Sequence, residues 1–160
     1  QAARIYYQLS DQNLVRTKLD VAETVTDTYV MLLVARENIR ILEETLENLE
    51  KILNETREFY KQGFVEQTDA DQMEVTYNNV KNTLEQVKTG YDIGMRLMKI
   101  QLGVQTGDRI ELSDSLGQVL DPEAIDKSLN QSFAIENNIH YKLLMTQEKL
   151  ALLDNYVEKM

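Results

Sequence analysis

Apolar side chains recur along the first part of the chain in alternating steps of three and four residues. The clearest run is Ile39, Leu42, Leu46, Leu49 and Leu53. A narrow apolar stripe of this spacing, sustained over four repeats, is typical of a coiled-coil helix rather than of a helix in a globular core. No Gly or Pro interrupts the pattern, so we predict one long helix over residues 1–62.

A short turn is predicted to end this helix. Gly63 can adopt the left-handed backbone that often follows a helix C-cap, and we place the tip turn at residues 63–67. Thr68 is predicted to be the N-cap of a second helix, with Asp71 three residues later as its partner in a capping box. Two helices joined by so short a turn must lie antiparallel, so the unit is predicted to be a helical hairpin.

The return helix is predicted over residues 68–102, where apolar or small positions again step by four and three. They are Met73, Tyr77, Val80, Leu84, Val87, Tyr91, Gly94 and Met98. Gly90 and Gly94 lie on one side of this helix, and we expect the two helices to approach closely there. Gly103 is expected to end the helix.

A mixed α/β insertion, or belt, is predicted to follow over residues 103–134. Arg109 to Ser113 alternates between polar and apolar side chains and suits a short strand. Asp121 and Pro122 open a short helix in the favoured order of cap and then proline. That helix is predicted to run to about residue 132, with a break near Phe133.

The predicted helix lengths do not match one another. At about 1.5 Å per residue, the long helix spans roughly 88 Å and the return helix about 52 Å. A third helix, predicted over residues 135–160, would supply roughly 39 Å more. We therefore predict a mainly α fold, in which a long antiparallel coiled-coil hairpin carries the small insertion and the third helix stacks end to end on the shorter arm.

Composition excludes several classes of function. The 27 acidic and 17 basic residues give a net charge of −10, which disfavours nucleic-acid binding. With one His and no Cys, we expect no metal site and no cofactor, and the absence of a nucleophile–base pair predicts a protein that is not an enzyme. No apolar run is long enough for a membrane helix. Since the chain opens on Gln1 and no signal peptide is visible, we expect it to be a piece of something longer.

The order of elements resembles the periplasmic part of the TolC-type outer-membrane efflux channels. The stretch Gly63-Phe64-Val65-Glu66-Gln67-Thr68-Asp69 is similar to the family's tip pattern of Gly, an apolar residue, three variable positions, Ser or Thr, and often Asp. Further positions fit the family's spacing, namely Glu58, Tyr60, Leu84, Leu97 and Leu102-Gly103. The stretch Asn137 to Leu153 resembles the start of the family's second half.

The resemblance implies a homotrimeric duct, with a helical tunnel in the periplasm under a β-barrel in the outer membrane of a Gram-negative cell. The barrel strands and the second hairpin lie outside this sequence, so contact with the membrane is expected only through those missing strands. The hairpin tip is implied to dock on a periplasmic membrane-fusion adaptor, which links the duct to an inner-membrane pump. By position, the adaptor-contacting residues are Gly63, Phe64, Val65, Thr68 and Asp69. Alternatively, Phe64 and Val65 fold back on the hairpin as a local apolar contact.

Two other functions remain as alternatives. One is a hairpin of the membrane-fusion adaptor itself, which the unequal arms and the absence of an Arg–Leu–Ser series of the adaptor spacing disfavour. The other is a soluble coiled-coil scaffold, which would have no interruption at residues 109–113 and 121–122. Export through a duct, for efflux or type I secretion, is the leading interpretation.

Overall fold

The computed structural model describes residues 2–105, 107–130 and 132–157. Its helices are α1 (Ala2–Lys61), α2 (Gln67–Gln101), α3 (Leu116–Val119), α4 (Pro122–Leu129) and α5 (Ile139–Val157), with a 3₁₀ turn at Ile135–Asn137. The chain divides into two compact units, and α1 contributes to both. One unit comprises Gln1–Thr26 with Leu120–Met160, and the other comprises Asp27–Val119. The prediction of a mainly α-helical chain with a long helix pair is confirmed.

The second unit is built on α1 and α2, which run antiparallel. The Arg57 guanidinium lies 2.8 Å from the Glu74 carboxylate, and the Lys88 ammonium lies 2.8 Å from the Glu43 carboxylate. Residues later in α1 therefore meet residues earlier in α2. Several buried side chains of this pair come from the predicted apolar stripes, namely Leu53, Leu84 and Met98, and Leu32 continues the stripe of α1. Leu33 and Ala70 are buried as well, although they lie outside those stripes.

The two glycines of α2 differ in how close α1 comes to them. A Cβ atom added at Gly94 would lie 2.9 Å from Cδ2 of Leu32, whereas one added at Gly90 would meet no atom within 4 Å. The predicted close approach is therefore found at Gly94 and not at Gly90. Leu32 fills the space that a side chain at residue 94 would need.

The end of α2 follows the prediction for Gly103. This glycine has a φ of +68°, its amide donates to the carbonyl of Ile100 at 3.1 Å, and the Val104 amide donates to the carbonyl of Lys99 at 3.1 Å. The pair of bonds is a Schellman motif, which closes the last turn of a helix. A residue with a Cβ atom adopts this φ only with strain.

The described residues contain no strand, so the predicted mixed α/β insertion is not confirmed. Residues 109–113 do alternate, with Ile110 and Leu112 half-buried. The Leu112 carbonyl of this segment and the adjoining Asp114, however, bond to a side chain of α1 instead of to a neighbouring strand. Arg36 donates to the carbonyl oxygens of Leu112, at 3.0 Å, and of Asp114. Alternation alone does not make a strand, because a strand also needs a second backbone to pair with.

The first unit contains α4 and α5, with the 3₁₀ turn between them. As predicted, Asp121 caps α4 with Pro122 at its first position, and the Asp121 carboxylate accepts from the Glu123 amide at 3.0 Å. The helix ends at Leu129, three residues before the predicted end.

The third long helix, α5, begins later than predicted. It starts at Ile139 rather than at residue 135, because the Asn138 side chain accepts from the amides of His140, at 2.9 Å, and Tyr141, at 3.3 Å. These contacts satisfy two of the free amide groups at a helix start. Residues 158–160 of the predicted helix lie outside the described residues.

Helix α5 lies beside the N-terminal turns of α1 within the first unit. Gln8 and Gln12 of α1 line one cleft together with Tyr141 and Met145 of α5. Thr146 is only 2% exposed, and its hydroxyl donates to the carbonyl of Lys142 in its own helix at 2.9 Å. End-to-end stacking of this helix on the shorter arm of the hairpin stays a prediction.

Candidate functional site

The tip of the hairpin is a tight turn closed by backbone hydrogen bonds. Gly63 has a φ of +80°. Its amide donates to the carbonyl of Tyr60 at 2.9 Å, and the Phe64 amide donates to the carbonyl of Phe59 at 2.9 Å. This is again a Schellman motif. The turn therefore depends on glycine at this position, as the sequence indicated.

Two aromatic rings meet across this turn. The rings of Phe59 and Phe64 lie edge to face, with centroids 6.3 Å apart and planes at 85°. An apolar contact between these two positions frequently accompanies a Schellman motif. Even so, Phe64 remains 73% exposed and Phe59 49% exposed. The local contact expected as the alternative is present, and it covers only part of each ring.

The start of α2 differs from the prediction, in which Thr68 was the N-cap. The N-cap is Glu66, with an extended backbone, and the helix begins at Gln67. The Glu66 amide donates to the Asp69 carboxylate at 3.0 Å, and the Asp69 amide donates to the Glu66 carbonyl at 3.1 Å. Thr68 lies in the first turn, where its hydroxyl bonds the Glu66 carboxylate at 3.4 Å. Residues 66 and 69 have the same spacing as Thr68 and Asp71, so spacing alone did not separate the two possible caps.

The predicted site residues lie together because they are nearly consecutive around this turn. They are Gly63, Phe64, Val65, Thr68 and Asp69. All are exposed except Val65, which is half-buried. Phe59, whose ring lies against that of Phe64, was not among the predicted site residues. The sequence signal for Phe59 is a pair of aromatic residues five positions apart, one before and one after the glycine that ends α1.

The tip is strongly acidic. Residues 55–74 contain six carboxylates and two cationic side chains, which leaves a net charge of −4. Both cations are already paired, Arg57 with Glu74 at 2.8 Å and Lys61 with Glu58 at 2.7 Å. A partner that approaches the tip therefore meets a negative field around exposed aromatic rings.

The ionisable groups with shifted pKa values lie along the hairpin shaft. The hydrogen bond from Arg40 holds the pKa of the Glu37 carboxyl below its usual value. The hydrogen bond to Glu43 raises the pKa of the Lys88 ammonium. Each shift stabilises the charged form that these groups have at neutral pH, which is the behaviour of structural ion pairs and not of an acid or base that exchanges protons near pH 7.

The described residues contain neither a cluster of metal ligands nor a helix that could cross a membrane. Within the described part of the chain, no three His, Asp or Glu side chains converge where they could hold a metal ion. Among the same residues, no helix has a stretch that is both long and apolar enough to cross a lipid bilayer.

Comparison with known proteins identifies the family. The model of the outer membrane efflux protein family matches residues 1–95, which cover all of α1, the tip and most of α2. No curated protein and no solved structure gave a significant match. The family match covers more than half of the chain and confirms the resemblance that rested on the tip pattern. The chain belongs to the outer membrane efflux protein family, whose members are transport channels of Gram-negative bacteria and not enzymes.

Proposed function

We propose that this chain is the periplasmic tunnel segment of a trimeric outer-membrane channel for efflux or type I secretion. Its hairpin tip docks on a periplasmic adaptor, which connects the channel to an inner-membrane pump. The chain contributes the wall of the duct and the contact surface at its end, and it performs no chemistry on the exported substrate.

The proposal that this chain forms part of a tunnel wall is supported by a second apolar stripe on α1. Val34, Ile41 and Ile52 are exposed, and their separations of seven and eleven residues correspond to about two and three helical turns. This stripe lies roughly a third of a turn away from the one that packs on α2. A helix with two apolar stripes has two neighbours, and every helix in the wall of a closed tunnel has one neighbour on each side.

The shape of the tip supports docking. The Gly63 backbone is open, because a Cβ atom added there would meet nothing within 4 Å, so a partner can approach it closely. Phe64, next in sequence, exposes most of its ring. An apolar side chain exposed beside an accessible backbone is typical of a contact surface between proteins.

Docking is tested with single substitutions in the full-length channel, assayed by crosslinking to the adaptor in cells. Phe64→Asp is expected to abolish the crosslink while channel abundance and helix content stay at the wild-type level. Gly63→Asp is expected to abolish the crosslink and to retain the helix content, although it also strains the turn. Phe133→Asp is the matched control, since Phe133 is 80% exposed and lies in the other unit. Undiminished crosslinking by both tip variants would overturn the tip assignment.

A further inference from the structure

A cleft of about 330 Å³ lies between α1 and α2, within the second unit. Its lining residues come from positions 28–35 of α1 and 87–97 of α2, and the surface that they present is almost entirely apolar. Sites for small molecules have volumes of roughly 300–1,000 Å³ and mainly apolar walls. The cleft therefore has the size and the lining of a small-molecule site.

The cleft is open because α1 covers only one of the two glycines of α2. Leu32 is buried and lies where a Cβ atom at Gly94 would be, only 2.9 Å from it. Gly90 lies one turn earlier, and a Cβ atom added there would meet nothing within 4 Å. Leu32 therefore closes the cleft at Gly94, whereas the part at Gly90 stays accessible to solvent.

Two side chains of the lining favour an aromatic occupant. Met31 is 72% exposed, and its thioether can make favourable contacts with an aromatic ring. Tyr91 is half-buried and offers a ring for packing against a second ring. Leu97 is 48% exposed and adds aliphatic surface. An occupant that covers these side chains is stabilised by removing apolar surface from water.

Charged side chains border the lining in sequence, but none of them lines the cleft. They are Asp27, Arg36, Lys88, Asp92 and Arg96. An ion that entered the cleft would lose its hydration without gaining a counter-charge or a set of hydrogen bonds in return. The occupant that suits this lining is therefore uncharged.

We infer that the cleft binds an uncharged aromatic molecule of about two rings. An apolar cavity of roughly 150 Å³ holds one benzene ring, so a volume of about 330 Å³ suits two linked or fused rings. The rings pack between Met31 and Tyr91 over the open backbone of Gly90. This site lies on the shaft of the hairpin, and it depends neither on docking of the tip nor on the proposed function.

A side chain from a second copy of the chain is the competing occupant. Met31 lies three residues before Val34 and continues the second apolar stripe of α1. From Met31 to Ile52 this stripe extends over about 32 Å, whereas the cleft takes up only about 10 Å of α1. A helix packed on the stripe would extend far beyond the cleft, and a compact molecule matches the length of the cleft better.

The inference is tested with benzophenone, an uncharged molecule of two linked rings that attaches to neighbouring C–H groups when it is irradiated. The full-length channel, held in amphipathic peptides instead of detergent, is irradiated with increasing concentrations, and peptide mass spectrometry locates the adducts. Labelling of Met31 is expected to saturate, with half-saturation at about 0.1 mM. Met145 lies in the other unit and is 37% exposed, and its labelling is expected to rise only in proportion to concentration.

Two results of this experiment would overturn the inference. If labelling of Met31 does not saturate, benzophenone reacts with an exposed methionine and occupies no site. If Met31 stays unlabelled at every concentration, a neighbouring helix fills the cleft in the assembled channel.

Competition tests whether the occupant must be uncharged. An excess of 2-naphthol at pH 7 is expected to reduce the labelling of Met31 by about tenfold, because it is uncharged and fits the same volume. An excess of 2-naphthoate, which has the same rings and a negative charge, is expected to leave the labelling within about twofold of its starting level. Equal competition by the two compounds would show that charge does not matter, and no competition by 2-naphthol would contradict the site itself.

Filling the cleft tests its location. Gly90→Leu places an aliphatic side chain in the open part of the cleft, and it is expected to retain the helix content because Leu favours helix over Gly. Thr89→Leu is the matched control, at the next position, which is exposed and outside the lining. Saturable labelling of Met31 is expected to fall about tenfold in Gly90→Leu and to stay unchanged in Thr89→Leu.

A separate measurement shows whether Gly90→Leu removes binding or only shields Met31 from the probe. Saturation-transfer NMR detects bound 2-naphthol without any reaction at Met31. The signal is expected in the wild-type channel and in Thr89→Leu, and it is expected to be lost in Gly90→Leu. A signal that persists in Gly90→Leu would place the binding outside the cleft and overturn the inference.

Discussion

The hydroxyl of Tyr29 and the carboxylate of Asp114 are joined by a 2.6 Å hydrogen bond, although 85 residues separate them in sequence. The same hydroxyl accepts a hydrogen bond from the Asp114 amide at 3.2 Å. Arg36, seven residues after Tyr29 and on the same side of α1, donates to two carbonyl oxygens of this segment. Between them on this side, Leu33 is 1% exposed. Two polar side chains of the long helix therefore hold this segment against the side of α1 on which Leu33 is buried.

We predict that Tyr29→Phe loosens this segment without disturbing the hairpin. The substitution removes one donor and one acceptor, for which we expect a loss of about 1 kcal/mol. Hydrogen exchange followed by mass spectrometry should show faster exchange in residues 112–115 and unchanged exchange in α2. Tyr7→Phe, at a largely exposed tyrosine, is the control. Equal exchange in all three proteins would show that the bonds to Tyr29 do not hold the segment.

We predict opposite consequences of two glycine substitutions in α2. Gly90→Ala has room for its methyl group and should raise the free energy of unfolding by up to about 1 kcal/mol, because Ala favours helix. Gly94→Ala must displace the buried Leu32 and should be less stable than Gly90→Ala by about 1–2 kcal/mol. Urea unfolding of both variants measures the difference. Equal stability would mean that Leu32 moves aside without penalty.

We predict that the cap of α2 depends on Asp69 rather than on Thr68. Asp69→Ala removes the carboxylate that accepts from the Glu66 amide and should cost about 1 kcal/mol of stability. Thr68→Ala should change stability by no more than about 0.5 kcal/mol, since its hydroxyl makes only an exposed side-chain contact. Thermal unfolding monitored by circular dichroism compares the two. A larger loss in Thr68→Ala would restore Thr68 as the cap.

We predict a loss of stability in acid that comes partly from carboxylates of α1. The hydrogen bonds from Arg40 to Glu37 and from Lys51 to Glu47 lower the pKa values of both carboxyls below 4.5. The stabilisation is present in full above that pH and disappears as the pH falls through the lowered pKa values. As the pH is lowered, the free energy of unfolding should decrease less in the double variant Glu37→Gln with Glu47→Gln than in the control variant Glu148→Gln. Urea unfolding at a series of pH values measures this difference. Identical acid profiles would show that these pairs contribute nothing measurable.

At alkaline pH, stability is lost as the pH rises rather than as it falls. The hydrogen bond to Glu43 raises the pKa of Lys88 above its ordinary 10.5. This pair therefore stabilises the hairpin below that pH and ceases to do so as the pH rises through the raised pKa. Between the lowered pKa values of the two carboxyls and the raised pKa of Lys88, all these ion pairs are charged. Their contribution to stability should therefore vary little with pH in this range.

We predict that a charge in the second apolar stripe impairs assembly of the full-length channel. Ile52→Asp places a carboxylate on the surface proposed to face a neighbouring hairpin, and it should lower the yield of trimer severalfold in sedimentation. Asn54→Asp adds the same charge two residues away on a different face of α1 and should leave the trimer intact. The 160-residue chain alone is expected to be a monomer or to associate weakly. A stable trimer of this chain alone would contradict the need for a second hairpin.

Several local features were predictable because each depends on neighbouring residues. The steps of three and four indicated several of the residues of α1 and α2 that become buried, Leu53, Leu84 and Met98 among them. Gly63 and Gly103 marked the helix ends because their backbones must turn left-handed. Asp121 with Pro122 marked the start of α4. Where two neighbouring possibilities had equal spacing, as at the cap of α2, the sequence offered no means of choosing.

By itself, the sequence determined the helical periodicity, the helix-ending glycines and the acidic character of the tip. Tertiary structure decided that Leu112 and Asp114 bond to the Tyr29 and Arg36 side chains of α1 where a strand was predicted, that Leu32 closes the space at Gly94, and that Phe59 meets Phe64. The physical reason is distance. Periodicity and capping act within a few residues along the chain, whereas these contacts depend on which side chains two separate backbones bring within a few ångströms of each other.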